Sequence, residues 1–108
     1  ILFSSFNHFS LKRIKQMDES LYCGLLYEAT LVTPWAYAVM LGMDAIHPHF
    51  SEVLFTKDEC RLAHKADVQV NPWTVNSEEE LRATIRAGAD RIITNYPDRA
   101  LKCLNAKA

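Results

Sequence analysis

Five short stretches of the sequence hold side chains that could bind or convert a small molecule. Each stretch ends or follows an apolar run, and together they supply aromatic, hydroxyl, amide, carboxyl and imidazole groups. Such a mixture is typical of ligand pockets, which are mostly apolar and contain a few placed polar groups. The stretches are Ser4-Ser5-Phe6, Tyr27-Glu28, His47-Pro48-His49, Trp73-Thr74-Val75-Asn76 and Thr94-Asn95.

Few of these residues indicate catalysis by themselves. Ser4 and Ser5 have no visible base partner in the sequence, so we do not predict a serine nucleophile. His47 and His49 could in principle share a metal ion, whereas Glu28 stands alone and is weak support for a metal site. The residue types therefore indicate binding more strongly than chemistry.

Strand-like and helix-like segments alternate along the chain and would bring these stretches together. Five strands are predicted, over residues 2–6, 22–27, 44–47, 68–75 and 91–94. Apolar residues at helical spacing fill the intervals. The first helix is predicted to begin after a cap at Asn7 or Ser10, and the second lies between Pro34 and Gly42. The third covers 56–65, with Thr56 as cap and Glu59 in the capping-box position. The fourth lies between a cap at Asn76 or Ser77 and Gly88, and the last covers 100–104.

This alternation predicts a parallel α/β fold. Strands joined by helices form a parallel sheet with right-handed crossovers, so we expect the five strands to be adjacent in chain order. The even spacing favours a TIM (β/α)8 barrel, and because a full barrel needs about 250 residues, five units would be a little over half of one. All the stretches described above would lie at the carboxyl ends of the strands, where such barrels place their sites.

The composition excludes several classes of function. The chain has 108 residues, of which 49% are hydrophobic and 23% charged, as in an ordinary globular protein. A formal net charge of −1 predicts no nucleic-acid binding through phosphate neutralisation. No apolar run approaches the roughly 20 residues of a membrane span. With three glycines there is no Gly-rich phosphate-binding loop.

We predict no site role for the three cysteines or for two of the four histidines. Cys23, Cys60 and Cys103 are far apart and odd in number, so they predict neither a zinc site nor a redox pair. We expect them to be buried or incidental thiols in a reducing compartment, the cytoplasm. His8 and His64 are predicted to lie at the surface.

The order of several motifs closely resembles the C-terminal part of bacterial glycerophosphodiester phosphodiesterases. The motifs are F-S-S-F-N, G-L-L-Y-E, D-A-I-H-P, W-T-V-N and A-G-A-D-R-I-I-T-N-Y-P-D, and the resemblance extends over essentially all of residues 1–108. It implies strands four to eight of a TIM barrel. It also implies hydrolysis of glycerophosphodiesters to glycerol 3-phosphate and an alcohol, with a divalent cation, usually Ca²⁺ or Mg²⁺.

The resemblance further implies that this chain supplies the substrate-binding side of the reaction. The family's catalytic His-Arg-Gly motif and its Glu-x-Asp metal ligands have no counterpart in the sequence. No catalytic residue or metal ligand is therefore assigned, and the chain alone is predicted to be inactive. Asn95 stands where the family usually has Asp, and Asn can serve equally as a turn or cap residue.

Phe6 and Trp73 are predicted to form apolar surfaces against the glycerol moiety, while Tyr27, His47 and Asn76 are candidates for polar positioning. Because the family's metal sites consist of carboxylates, we predict one of the two histidines 47 and 49 as a hydrogen-bond donor in the site, with His47 the candidate, and the other at the surface.

The alternative to a part of an enzyme is a non-catalytic module. The chain begins with an apolar run and without Met, and we interpret it as a fragment. A half-barrel that persists alone would expose apolar faces and an open strand edge at residues 1–6, and it could bind ligands or self-associate through them.

Overall fold

Within the residues that the structure describes, four strands form one parallel sheet in chain order. The computed structural model describes residues 2–55 and 58–107. The strands run in the order β1-β2-β3-β4, and each neighbouring pair is parallel, as predicted. The elements are β1 Leu2–Ser5, α1 His8–Met17, β2 Tyr22–Tyr27, α2 Pro34–Leu41, β3 Ala45–Pro48, α3 Phe50–Phe55, α4 Glu59–Lys65, β4 Gln69–Val70, α5 Glu78–Ala87 and α6 Pro97–Lys107.

One face of the sheet is apolar and lies under the helices. Cys23 and Leu25 on β2 and Ile46 on β3 pack there with Leu11 of α1 and Ala38 of α2. The strand residues follow the two-residue repeat of a strand, which sends alternate side chains to opposite faces. The main core therefore lies between the sheet and its helices, and we call this side the outer face.

The opposite, inner face is polar at its centre. Ser4, His47 and Asn71 lie on this face and contact one another through hydrogen bonds. The imidazole of His47 crosses over β2 at Gly24, where a built Cβ would stand only 2.0 Å from Nε2. Only a residue without a side chain at position 24 allows the ring to lie flat on the sheet.

The helix ends follow the sequence signals. Asn7 and Ser77 precede α1 and α5, and each side-chain oxygen accepts a hydrogen bond from the N–H of the third helical residue, at 3.2 and 3.1 Å. Gly42 and Gly88 end α2 and α5 with φ of 73° and 98°, the left-handed conformation that favours glycine. These predicted boundaries are confirmed.

The fourth strand is shorter than predicted. Regular pairing with β3 covers Gln69–Val70 instead of residues 68–75. Beyond it, a single parallel bridge joins His49 and Trp73. Pro72 lies between the two paired positions and has no N–H to donate to the ladder. The proline therefore divides the predicted strand into two short contacts.

Residues 91–94 do not form the regular fifth strand that we predicted. The segment does lie beside the fourth, because Ile93 N donates to Pro72 O at 3.0 Å. The N–H of Arg91, however, donates to the side chain of Asn71 at 3.1 Å. A side chain in the place of a backbone acceptor interrupts the ladder, so the segment is extended without being a strand.

Three helical predictions need correction. The short helix α3 was not predicted, because six residues give little periodicity. Helix α4 begins at Glu59, after Asp58 in a left-handed conformation, while the predicted cap Thr56 lies outside the described residues. Helix α6 is longer than the predicted 100–104 because it begins directly at Pro97, a favoured first residue.

The carboxyl of Glu59 is buried instead of capping its helix. Only 4% of the residue is exposed, and Oε1 accepts a hydrogen bond from the Tyr27 hydroxyl at 3.2 Å. Within the described ranges no donor reaches Oε2. Burial, opposed by the Tyr27 hydrogen bond and assisted by Glu52, raises the pKa of Glu59 to about 7. The folded state therefore favours the protonated acid.

The pH dependence of stability should change when Glu59 is replaced. The raised pKa stabilises the folded state fully below about 4.5, and this contribution is lost as pH rises through about 7. Glu59→Gln has no such loss, so its free energy of unfolding should increase relative to wild type between pH 4.5 and 8, by on the order of 2 kcal/mol. Urea denaturation at several pH values measures this difference.

Glu79→Gln, in the exposed first turn of α5, is the matched control, because it removes a carboxyl group from the surface instead of from the core. A constant difference between Glu59→Gln and wild type over this range would show that the carboxylate is as well solvated in the folded as in the unfolded chain.

Gly24→Ala should be strongly destabilising, because its Cβ would overlap an imidazole that is held on both sides. We expect a loss of about 1–3 kcal/mol or more in the free energy of unfolding. Gly42→Ala is the control: it meets no atom within 4 Å and incurs only the cost of its positive φ. Equal losses in the two variants, measured by urea denaturation, would contradict the position of the ring.

Candidate functional site

Trp73 is fixed at the carboxyl end of β3 by both its backbone and its indole. Its N–H donates to Pro48 O at 3.1 Å, and its carbonyl accepts from Phe50 N at 2.8 Å. The indole Nε1–H donates to His47 O at 2.8 Å. The polar atom of the half-buried ring is thus satisfied by the protein, which leaves the ring itself for apolar contacts.

Three aromatic rings surround or adjoin this indole. The Phe6 ring is perpendicular to it, with centroids 5.7 Å apart, and Phe6 is 58% exposed. The His49 ring meets the indole edge-on at 5.2 Å and stacks on Phe50 at 4.6 Å. Edge-to-face pairs of this kind are favourable. We call Phe6, His49, Phe50 and Trp73 the aromatic wall.

The polar side chains of the inner face form a continuous hydrogen-bonded group. Ser4 Oγ lies 2.6 Å from His47 Nδ1, and His47 Nε2 lies 3.0 Å from Asn71 Nδ2. Asn71 Nδ2 also donates to the Tyr22 hydroxyl at 2.9 Å, which donates to Gln69 Oε1. We call these five residues the inner-face network.

His47 supports the aromatic wall from below instead of lining the site. His47 is fully buried, so its ring does not lie at the open edge of the site, whereas His49, predicted at the surface, is half-buried and belongs to the wall. Burial, with a smaller contribution from Arg91, lowers the pKa of His47 to about 4. The imidazole is therefore neutral at pH 7.

The contact between Ser4 and His47 was not anticipated. No base partner for Ser4 is visible in the sequence, yet the two side chains lie within hydrogen-bond distance. The sequence does contain a pattern that indicates such a contact, because Ser4, His47 and Asn71 are polar residues on one face of otherwise apolar strands. What the sequence could not supply was the register that brings positions 4 and 47 together across β2.

Tyr27 is not brought to the other predicted site residues. Its side chain is 7% exposed, packs in the core of the outer face and donates to Glu59. Strand alternation accounts for this placement, because residue 27 has the same parity on β2 as the buried Leu25. The expectation that Tyr27 positions substrate is corrected accordingly.

Asn76 ties two loops together at the same edge of the sheet. Its Oδ1 accepts from Asn95 N at 3.0 Å and from Thr94 Oγ1 at 3.3 Å. Its carbonyl accepts from Arg99 at 2.6 Å. The amide oxygen is thus engaged within the protein, and Asn76 shapes the edge instead of offering that oxygen to a ligand.

The other histidines differ in their environments. His8, predicted at the surface, is half-buried and contacts the Leu26 carbonyl at 3.0 Å and the Tyr37 hydroxyl at 3.2 Å. His64 is exposed, as predicted, and pairs with Asp90 at 2.6 Å. The three cysteines are buried free thiols, also as predicted.

The described residues do not fit a metal site. Over 2–55 and 58–107, no three side chains of the His, Cys, Asp or Glu type converge in a way that could hold an ion. Among the same residues, no helix is long and apolar enough to cross a membrane. What the described residues do form is the aromatic wall beside the inner-face network.

Comparison with known proteins identifies relatives of this arrangement. A glycerophosphodiester phosphodiesterase from Caldanaerobacter subterraneus subsp. tengcongensis is 38% identical over 99 residues, which is 91% of this chain and 40% of that protein. A crystal structure of a glycerophosphodiester phosphodiesterase from Parabacteroides distasonis superposes with a TM-score of 0.86 at 20% identity, covering 96% of this chain and 42% of the other.

A phosphodiesterase from Oleispira antarctica, solved in complex with the product sn-glycerol 3-phosphate, gives a TM-score of 0.84 at 24% identity over 96% of this chain and 41% of that one. The chain spans about 40% of the length of the relatives it matches. These likenesses confirm the fold class, an α/β chain that forms part of a TIM barrel.

The model of the glycerophosphoryl diester phosphodiesterase family matches residues 1–99, nearly the whole chain. The resemblance found in the sequence motifs is thereby confirmed, and the chain belongs to the glycerophosphoryl diester phosphodiesterase family.

Proposed function

We propose that this chain forms the substrate-binding side of an enzyme that hydrolyses glycerophosphodiesters to glycerol 3-phosphate and an alcohol. The observation that carries the proposal is the Phe6–Trp73 pair at the carboxyl end of the sheet. Because the indole N–H is bonded to His47 O, the pair offers carbon surface without an unmet donor. Family membership supports the same reaction class.

The aromatic wall would pack against the carbon atoms of the glycerol moiety. Phe6 supplies its most exposed ring, and Trp73 supplies a ring whose position is fixed by three hydrogen bonds. Rings held in this way lose little conformational freedom when a ligand binds. The product in the Oleispira antarctica structure contains the same glycerol and phosphate groups.

We propose further that residues 1–108 correspond to strands four to eight of the barrel. The catalytic histidines and the carboxylates for Ca²⁺ or Mg²⁺ would then belong to the remaining strands. The 40% share of the relatives' length and the lack of His-Arg-Gly or Glu-x-Asp in the 108 residues support this division. The buried thiols support a cytoplasmic location.

A self-associating module is the second candidate. β1 lies at the edge of the sheet, where one side of its backbone lacks a neighbouring strand within the described residues. Leu2 and Phe6 beside it are 39% and 58% exposed. An open edge flanked by apolar side chains favours pairing with another strand, either from the same protein or from a second copy.

Replacement of Trp73 should separate binding from folding in the full-length protein. Trp73→Ala removes one ring of the Phe6–Trp73 pair, so kcat/KM for a glycerophosphodiester should fall about tenfold or more, chiefly through a higher KM. Trp35→Ala is the control, because Trp35 packs against the main core. It should cost about 3 kcal/mol of stability and leave kcat/KM nearly unchanged.

Steady-state kinetics and thermal unfolding on both variants provide the measurement. If Trp73→Ala lost more stability than Trp35→Ala and kept its kcat/KM, Trp73 would be a core residue and the proposed site would be misplaced.

The 108-residue chain alone should release no glycerol 3-phosphate from glycerophosphocholine with either Ca²⁺ or Mg²⁺. The reason is that no three His, Cys, Asp or Glu side chains of the described residues converge to hold an ion, and the 108 residues contain no His-Arg-Gly motif. An enzyme-coupled assay for glycerol 3-phosphate measures this. Activity of the isolated chain would contradict the proposal that the catalytic and metal-binding residues belong to the remaining strands. If the full-length protein were also inactive and sedimentation showed stable dimers, the self-associating module would be favoured.

A further inference from the structure

The direction of every hydrogen bond in the inner-face network follows from one backbone group. Arg91 N–H donates to Asn71 Oδ1 at 3.1 Å, and a backbone amide can only donate. The oxygen of the Asn71 amide must therefore face Arg91, and its nitrogen must face the interior. The opposite orientation would place two donors against each other.

The amide of Asn71 in turn determines the proton position on His47. Asn71 Nδ2 has two hydrogens, one directed to the Tyr22 hydroxyl and the other to His47 Nε2. Nε2 must then accept. A neutral imidazole carries its proton on the other nitrogen, so Nδ1–H donates to Ser4 Oγ across 2.6 Å.

This direction excludes His47 as a base for Ser4. A base would have to accept the serine proton at Nδ1, which already bears a hydrogen. The Ser4 hydroxyl accepts one hydrogen bond from the ring, so its own hydrogen points elsewhere. Ser4 is exposed on the inner face and precedes Phe6 of the aromatic wall by two residues on the same face.

We propose that Ser4 is a substrate-binding residue that donates a hydrogen bond to an oxygen of the glycerol 3-phosphate moiety. The inference rests on the proposed function. Among residues 2–55 and 58–107, His47 is the hydrogen-bond partner of the Ser4 hydroxyl, and it occupies one lone pair. The O–H of Ser4 is left to donate to an acceptor such as a phosphoryl oxygen. Ser4 would thus be a polar group beside the apolar wall, in place of the predicted Tyr27.

An isosteric pair of variants in the full-length enzyme tests this role. Ser4→Thr keeps the hydroxyl, and Ser4→Val replaces it with a methyl group of the same shape. We expect kcat/KM to fall about ten- to hundredfold in Ser4→Val, with competitive inhibition by sn-glycerol 3-phosphate weakened by a similar factor, while Ser4→Thr stays within about threefold of wild type.

Ser5→Ala is the matched control, because Ser5 lies on the opposite face and its hydroxyl accepts from Asn7 N at 3.0 Å. It should change neither kinetic constant. Inhibition by inorganic phosphate and by glycerol, measured on the same variants, identifies which oxygen is bound: the weakened inhibitor contains it.

Equal kcat/KM and equal inhibition in Ser4→Val and Ser4→Thr would overturn the assignment of Ser4 while leaving the proposed function intact. If the wild-type enzyme hydrolysed no glycerophosphodiester, the proposed function would fail. Calorimetric titration with sn-glycerol 3-phosphate would then decide on Ser4 alone, since affinity unchanged by Ser4→Val would overturn it and affinity lost in Ser4→Val but kept in Ser4→Thr would support it.

Discussion

The hydrogen bond from the Arg91 backbone to the Asn71 side chain determines the arrangement of the inner face. It fixes the amide of Asn71, which fixes the tautomer of His47, which fixes the hydroxyl of Ser4. TIM barrels usually fill this space with bulky aliphatic residues. Here a hydrogen-bonded polar chain occupies it, with His47 and Asn71 buried at its centre. It specifies one geometry, because reversing either of these two groups would leave a buried polar atom without its partner.

The same histidine connects the network to the aromatic wall. Its ring belongs to the network, and its carbonyl holds the indole of Trp73. A shift of β3 would therefore move both the wall and the Ser4 partner together. Gly24 permits this double role, because the imidazole rests where any other residue would place its Cβ. Rigid support of this kind lets a site bind without reorganising.

Sequence patterns predicted the local features well and the long-range ones poorly. The caps at Asn7 and Ser77, the glycine stops and the order of parallel strands depend on neighbours in the chain, and these predictions hold. The face occupied by Tyr27 and the partner of Ser4 depend on strand register, which a single sequence leaves open. The apolar pattern of residues 91–94 predicts a strand, yet the Arg91 N–H donates to the Asn71 side chain instead of to a backbone carbonyl. Hydrophobic periodicity does not indicate such a side-chain acceptor.

The hydrogen bonds of the inner-face network run in a single direction, and nitrogen-15 NMR of His47 tests this most directly. Two-bond couplings between the ring nitrogens and the carbon-bound ring hydrogens of ¹⁵N-histidine-labelled protein report which nitrogen is protonated. A His47→Gln variant assigns the signals of His47. We expect a neutral ring with the proton on Nδ1, unchanged from pH 5 to pH 8, because burial lowers the pKa of His47 to about 4. A proton on Nε2, or an imidazolium within that range, would contradict it.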